Sequence, residues 1–165
     1  MKISRKLLFA LSVVMLVFIM VTVFRLSAQP REQSNNLSRG VTAFLVDWLP
    51  WTAQHSPEQK LRDITELNNH IRKLAHFTIY AAMGFFAASS LTFSRRVKNG
   101  RIIAVLTVAL CCLYAVSDEL HQGFVEGRGP LVKDVFIDTA GAAAGAAVLG
   151  LLYFALKRHD RLPQD

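Results

Sequence analysis

A group of side chains that can carry chemistry lies in the stretch SDELHQGFVEGR, residues 117–128. It contains carboxylates, an imidazole and a guanidinium, and it directly follows the apolar run IIAVLTVALCCLYAV. A histidine beside carboxylates can act as a general base, and an arginine can stabilise developing negative charge. The same groups can also bind a polar headgroup or a carboxylate without catalysis.

Polar or small residues recur at helical spacing in this apolar run and in two others, so that each run has one distinctive helix face. The first face consists of Asn69, Lys73, His76, Tyr80 and Gly84. The second consists of Thr107, Cys111, Tyr114 and Asp118, followed by His121 or Gln122. The third consists of Asp134, Asp138, Gly141 and Gly145. The ionisable members lie at one end of each run, so antiparallel neighbours can bring them to a shared site.

Four apolar runs are long enough to position these faces in a membrane. They cover residues 7–24, 74–93, 102–116 and 135–156, in a chain of 165 residues that is 52% hydrophobic and 19% charged. A helix needs about 17–25 residues to cross the hydrocarbon. We therefore predict an all-α integral membrane bundle of four transmembrane helices with an amphipathic external segment.

The net charge of +7 indicates topology and does not indicate nucleic-acid binding, because no nucleic-acid-binding module accompanies it. The cations concentrate in residues 1–6, 94–101 and 157–161, which a four-span topology places on one side. The positive-inside rule then predicts a multi-pass cell-membrane protein with both termini in the cytoplasm. We divide the chain into a signal-anchor helix (1–25), an external loop with amphipathic helices (26–71), a core of three helices (72–156) and a basic cytoplasmic tail (157–165).

The first span has one alternative, a cleaved signal peptide. Its apolar run is longer than the usual h-region of about 7–15 residues, and LSA at 26–28 is a poor cleavage site, which favours a retained helix. Cys111 and Cys112 are adjacent on one helix, so no disulfide is predicted.

The external loop contains three different signals. Residues 27–38 are polar and predict a flexible segment. Val41, Phe44, Leu45 and Trp48 share a helix face that can lie along the membrane surface or cap the bundle. Ser56-Pro57 is typical of a helix start, and this helix can continue into the second span.

Burial energy favours a shared polar network over isolated charges. A charged side chain at the centre of a membrane helix costs about 2.5–3.5 kcal/mol and usually turns inward to a partner. We expect such a network from Lys73, His76, Asp118, His121, Arg128, Asp134 and Asp138. Glu119, Glu126 and Lys133 are expected at the water boundary, and Arg128 can alternatively clamp its loop by bridging Asp118 and Asp134. The chain has no HExxH motif, so we predict no metal site and no cofactor.

The segments IRKLAHFTIYAAMGF and YAVSDELHQGFVEGRGPLVKDVFIDTAGAAAG resemble the VanZ-like family of bacterial membrane proteins. The resemblance covers residues 72–152, about half of the chain. The positions that match the family pattern are Lys73, His76, Tyr80, Ser117, Asp118, Glu119, His121, Gln122, Arg128, Asp134 and Gly141. At Asp138 many members have asparagine, so the pattern does not require a negative charge there.

The resemblance implies a multi-pass cell-envelope protein, and the founding member is linked with resistance to the glycopeptide teicoplanin. The expected partners are membrane lipids and either a lipid-linked cell-wall precursor or a glycopeptide. The expected binding residues are Lys73, His76, Tyr80, Asp118, Glu119, His121, Gln122, Arg128, Asp134 and Asp138.

Two functions of other classes remain open at this stage. In a membrane-embedded enzyme acting on a lipid-linked substrate, the catalytic candidates are His76, His121, Asp118 and Asp134. A transporter or proton pathway is disfavoured, because the predicted cytoplasmic half of each polar face contains no titratable group.

Overall fold

The computed structural model describes residues 4–94 and 96–159, with side chains up to residue 157, so most of the predicted basic tail lies outside it. The described chain is helical throughout and contains no strand. Its helices are α1 (Arg5–Ser27), α2 (Arg31–Trp48), α3 (Pro57–Ser94), α4 (Gly100–Gln122) and α5 (Val132–His159), with a 3-10 turn at Pro50–Thr52. Helices α1, α3, α4 and α5 are long and apolar enough to cross a membrane, which confirms the predicted four-span bundle.

Helix α3 begins where the sequence predicts and is continuous over 38 residues. The Ser56 N–H donates to the Gln59 side-chain oxygen (2.8 Å), and the Gln59 N–H donates to Ser56 Oγ (3.3 Å). This reciprocal capping satisfies N–H groups that have no partner within the helix. At the other end, the Arg5 guanidinium donates to the carbonyl oxygens of Thr92 (2.6 Å) and Phe93 (3.2 Å), which fixes the start of α1 against the end of α3.

Glycines allow α3 and α5 to pack backbone against backbone, and this is the most extensive helix contact in the described chain. A Cβ added to Gly141 would overlap the carbonyl oxygen of Phe77, and one added to Gly145 would overlap that of Ala81. On the facing helix, a Cβ on Gly84 would overlap the carbonyl of Ala142. The small-residue faces predicted for these two helices therefore meet each other.

Helices α1 and α4 complete the bundle. The Tyr114 hydroxyl donates to the carbonyl oxygen of Met20 (2.6 Å) and links α4 to α1. Ser117 donates to the Tyr114 carbonyl oxygen (2.7 Å), as expected for a serine near a helix end. Helix α4 continues through His121 to Gln122, so the whole polar face predicted for it lies on one helix.

The prediction of a flexible segment at residues 27–38 is wrong from Arg31 onward, because α2 begins there. Side-chain hydrogen bonds attach this part of α2 to α3: Asn68 donates to the side-chain oxygen of Asn35 (2.8 Å), and Thr42 donates to that of Asn68 (3.2 Å). These hydrogen bonds give the polar side chains of α2 partners within the protein, so the segment can pack as a helix although its composition suggested a loop. The opposite face of α2 exposes Trp48 to 76%, as expected for a helix along a membrane surface.

Candidate functional site

A pocket of about 310 Å³ opens where α4 ends and α5 begins. It is lined by residues from α2, α3, the end of α4, the start of α5 and the loop between α4 and α5. The lining residues are Arg31, Asn69, Arg72, Lys73, His76, Gln122, Arg128, Gly129, Leu131, Lys133, Asp134 and Ile137. Five of these residues are lysine or arginine and one is acidic, so the pocket is strongly basic.

The residues predicted from the sequence divide into three groups. Five of them line the basic pocket: Lys73, His76, Gln122, Arg128 and Asp134. Four others are almost fully buried in the bundle: Tyr80, Asp118, Glu119 and Asp138. His121 lies apart from the pocket lining, because its ring stacks on Phe24 with the ring centroids 4.7 Å apart.

The buried group includes an acidic cluster, which we define as Asp118, Glu119 and Asp138. One carboxylate oxygen of each lies within 4.8 Å of the others. The exposed fractions of these residues are 4%, 3% and 0%. The prediction that Glu119 marks the water boundary is therefore wrong, whereas Glu126 and Lys133 are exposed as expected. Glu119 is held inward because one of its oxygens accepts a hydrogen bond from the Leu131 N–H (2.8 Å).

His76 connects the basic pocket to the acidic cluster. Its ring lines the pocket, and its Nδ1 lies 3.4 Å from Oδ1 of Asp138, at ion-pair distance but without hydrogen-bond geometry. Gln122 makes a second connection, since it lines the pocket and donates to Asp118 Oδ2 (3.2 Å). The cluster therefore lies directly behind the pocket wall.

Arg128 does not form the loop clamp that the sequence left open. It has no carboxylate within 4 Å among the described residues, and its Nε has no hydrogen-bond partner there. Burial lowers the pKa of its guanidinium and the nearby Arg72 lowers it further, while Asp118 and Glu119 act in the opposite direction. Arginine nevertheless stays protonated in proteins, so the pocket contains an unpaired cation.

The loop is held instead by contacts that the sequence did not indicate. The Arg31 N–H donates to the Glu126 carbonyl oxygen (3.2 Å), and the Arg31 guanidinium donates to that of Gly127 (3.4 Å). Gly127 has a φ of 72°, which glycine adopts readily. Sequence analysis missed Arg31 and Arg72 as pocket residues. For Arg31 the reason was its position in the segment predicted to be flexible.

Three segments thus meet at one site: the basic face of α3, the acidic residues of α4 and the start of α5 at Asp134. They are the same segments whose motifs were noted in the sequence. The family model described as VanZ/LLP1 matches residues 12–154. The chain belongs to the VanZ/LLP1 family. No curated protein and no solved structure matches it. The match includes α1 from residue 12 onward and the whole of α2, so it extends well beyond the residues in which we noted the resemblance.

The site of this VanZ/LLP1 protein can act chemically in two ways. Its unpaired guanidinium and ammonium groups can bind phosphate or carboxylate oxygens, for which arginine offers paired donors. In addition, His76 has one ring nitrogen beside a buried carboxylate, which is the arrangement that orients a general base.

Proposed function

We propose that the protein is a multi-pass cell-envelope protein that binds the anionic headgroup of a lipid-linked envelope ligand in the basic pocket. Through this binding it modulates sensitivity to glycopeptide antibiotics such as teicoplanin. The observation that carries the proposal is the excess of cations, five against one carboxylate, around a single pocket. Membership of the VanZ/LLP1 family supports the membrane setting.

The electrostatics of the pocket support an anionic ligand. Arg72 lies close enough to lower the pKa of the Arg128 guanidinium, so the two charges repel when no anion lies between them. A bound phosphate, pyrophosphate or carboxylate relieves this repulsion and accepts charge-assisted hydrogen bonds. The volume is at the small end of the range for ligand pockets, about 300–1,000 Å³, and suits a headgroup rather than a whole glycopeptide.

The position of the pocket supports a ligand anchored in the membrane. It opens at the ends of apolar helices, so a headgroup can enter it while an acyl or prenyl chain remains in the bilayer. The described basic residues at the other end of the helices, where Arg5 contacts the end of α3, are Arg5, Lys6, Arg96, Lys98 and Arg101. By the positive-inside rule we assign that end to the cytoplasm and the pocket to the exterior.

The binding test uses the full chain in nanodiscs, titrated with a polyprenyl phosphate, a polyprenyl pyrophosphate, phosphatidic acid and a neutral diacylglycerol. We expect the anionic lipids to bind and diacylglycerol not to bind. Arg72→Gln is expected to weaken binding about tenfold or more, because it removes one charged donor. Arg62→Gln is the matched control, since Arg62 is exposed on the same helix and lies outside the pocket.

Native mass spectrometry gives the bound fraction in this experiment. Equal retention of anionic and neutral lipids, or equal losses in Arg72→Gln and Arg62→Gln, would contradict the proposed site. Binding of teicoplanin itself, without any anionic lipid, would move the proposal from an envelope lipid to direct recognition of the antibiotic.

A second candidate function is a membrane-embedded enzyme that acts on the same class of ligand. The contact between His76 and Asp138 favours it, because His76 lines the pocket and has a buried carboxylate behind it. In this candidate His76 is the general base, and Lys73 and Arg128 stabilise developing negative charge. His121 is the weaker base candidate, because it stacks on Phe24 outside the pocket lining.

Turnover distinguishes the two candidates. If the protein is an enzyme, His76→Gln is expected to lower kcat about 100- to 10,000-fold, the usual contribution of a general base, with ligand binding retained. His70→Gln is the control, because His70 is exposed on the same helix. A chain that binds polyprenyl phosphates but leaves them and polyprenyl pyrophosphates unchanged over hours is a binding protein.

A further inference from the structure

The acidic cluster has an arrangement that the anion-binding pocket does not explain. Asp118, Glu119 and Asp138 come from two helices, and each is at least nine-tenths buried. One oxygen from each carboxylate lies within 4.8 Å of the others. Carboxylates at this separation repel one another strongly in a low-dielectric interior unless something neutralises them.

Hydrogen bonding leaves an oxygen of each carboxylate free. Asp118 uses Oδ2 to accept from Gln122, while its Oδ1 has no partner among the described residues. Glu119 uses Oε2 to accept from the Leu131 N–H, while its Oε1 has no partner there. Both oxygens of Asp138 lack hydrogen-bond partners within the same part of the chain. Hydrogen bonds from the protein therefore orient the carboxylates of the cluster but leave some of their oxygens without a donor.

Tyr80 provides an independent indication of a missing ligand. Its side chain is completely buried, and its hydroxyl has no partner among the described residues. His76, one turn before Tyr80 on the same face of α3, contacts Asp138, and Gly84, one turn after it, packs on Ala142 of α5. Tyr80 therefore lies between two contacts of α3 with the helix that carries Asp138. A buried hydroxyl without a hydrogen-bond partner in this position indicates space for a further group.

The basic residues of the pocket do not neutralise the cluster. Neither Lys73 nor Arg128 approaches a carboxylate within 4 Å in the described ranges, and His76 reaches only Asp138. Within the described ranges, Lys73 and Arg128 therefore have no carboxylate partner in the pocket, and Asp118 and Glu119 have no cationic partner behind its wall. A small metal cation bound within the cluster would neutralise the carboxylates. The lysine and arginine side chains would then remain available in the pocket.

We propose that Asp118, Glu119 and Asp138 bind one hard divalent cation, of the class Ca²⁺, Mg²⁺ or Mn²⁺, behind the basic pocket. Two ligands of one ion are at most twice the metal–oxygen distance apart, about 4.8 Å for Ca²⁺ and about 4.2 Å for Mg²⁺. The oxygen separations of the cluster, all within 4.8 Å, meet the Ca²⁺ limit, and Mg²⁺ or Mn²⁺ would draw the carboxylates slightly closer together. Carboxylate oxygens select hard cations over softer ones. The proposal replaces our sequence-based expectation that the chain binds no metal, which rested on the absence of a linear motif.

The remaining groups have positioning roles in this site. His76 holds Asp138 from the pocket side, and Gln122 holds Asp118, so both ligands are oriented by residues that also contact the pocket. The Tyr80 hydroxyl, which has no partner among the described residues, is free to donate to a water bound to the ion. An asparagine in place of Asp138 still offers a carbonyl oxygen to a hard cation, so relatives with that residue can retain the site with lower affinity.

The test is a Mn²⁺ titration of the full chain in detergent after chelator treatment, followed by electron paramagnetic resonance. We expect one Mn²⁺ per chain, displaced by Mg²⁺ or Ca²⁺. Asp118→Asn and Glu119→Gln are each expected to weaken binding at least tenfold. Glu126→Gln is the matched control, because Glu126 is an exposed carboxylate in the loop after α4, outside both the cluster and the pocket, and its affinity should stay within twofold.

A thermal measurement guards against misfolded variants. Because a ligand that binds only the folded state raises its melting temperature, millimolar Mg²⁺ or Ca²⁺ should raise the Tm of the wild type and of Glu126→Gln, but not that of Glu119→Gln. Wild-type protein that binds no Mn²⁺, that binds Zn²⁺ alone, or that binds Mn²⁺ as tightly after both cluster substitutions overturns the proposal. Arg72→Gln should leave Mn²⁺ binding unchanged, so failure of the anion-binding proposal is distinguishable from failure of this one.

Discussion

Replacing Gly145 with leucine is expected to destabilise the bundle by about 3 kcal/mol or more. Overpacking a core commonly costs about 1–3 kcal/mol, and that range applies where side chains can move aside. At Gly145 the added atoms meet the backbone of Ala81 and Phe85, which cannot move without displacing α3. Helices in lipid gain no hydrophobic drive to associate, so close backbone packing provides much of the attraction between α3 and α5.

Gly150→Leu is the matched control for this prediction. Gly150 is also on α5, but a Cβ there meets nothing within 4 Å. Thermal unfolding followed by circular dichroism in a mild detergent should show a lowered Tm for Gly145→Leu and an unchanged Tm for Gly150→Leu. Equal stability of the two variants would mean that α3 and α5 do not pack through this glycine face.

Replacing Arg128 with glutamine is expected to reduce the affinity for an anionic headgroup by about 100-fold without lowering the stability of the free protein. Losing one partner of a buried charge pair costs about 2–5 kcal/mol, and each 1.4 kcal/mol is about tenfold in affinity. In the free protein, however, Arg128 is partly desolvated beside Arg72 and has no ion-pair partner within the described ranges. Removing this charge therefore relieves repulsion and leaves Tm unchanged or slightly raised.

A loss of headgroup affinity without a loss of thermal stability distinguishes a ligand-binding residue from a residue that stabilises the fold. Headgroup affinity, Tm and the salt dependence of binding should be measured on the wild type and Arg128→Gln in the same detergent. In cells, the variant should also lose any effect of the wild-type protein on the inhibitory concentration of teicoplanin, with expression verified by immunoblot. A clearly lowered Tm together with retained affinity would identify Arg128 as a fold residue and contradict its proposed role.

Features that depend on a single helix were predictable from the sequence. The four spans follow from hydrophobic length, the start of α3 follows from Ser56 and Pro57, and Gly141 and Gly145 share a face because of helical spacing. Each of these inferences uses local periodicity alone. The convergence of ionisable groups at one end of the bundle followed as well, because alternating spans bring those ends together.

Residues whose environment depends on a distant partner were not predictable. Glu119 is adjacent to Asp118 and so points away from the predicted polar face of α4, yet a backbone N–H of the following loop holds it inside. The sequence of the first part of α2 is typical of a polar linker. In the structure, Asn68 of α3 forms hydrogen bonds with Asn35 and Thr42 and fixes this segment as a helix. Helical periodicity within one segment does not indicate contacts with another segment. The acidic cluster could therefore be recognised only from the three-dimensional structure.

The continuity of α3 has a mechanical consequence. At about 1.5 Å per residue its 38 residues extend about 57 Å, which exceeds the thickness of the hydrocarbon by more than 20 Å. Asn68, in the first third of α3, binds α2 through Asn35. The next turns of α3 carry Lys73 and His76, and Gly84 packs against α5. A rotation of α3 about its axis would therefore displace α2, the pocket-lining residues of α3 and the glycine contacts with α5 together.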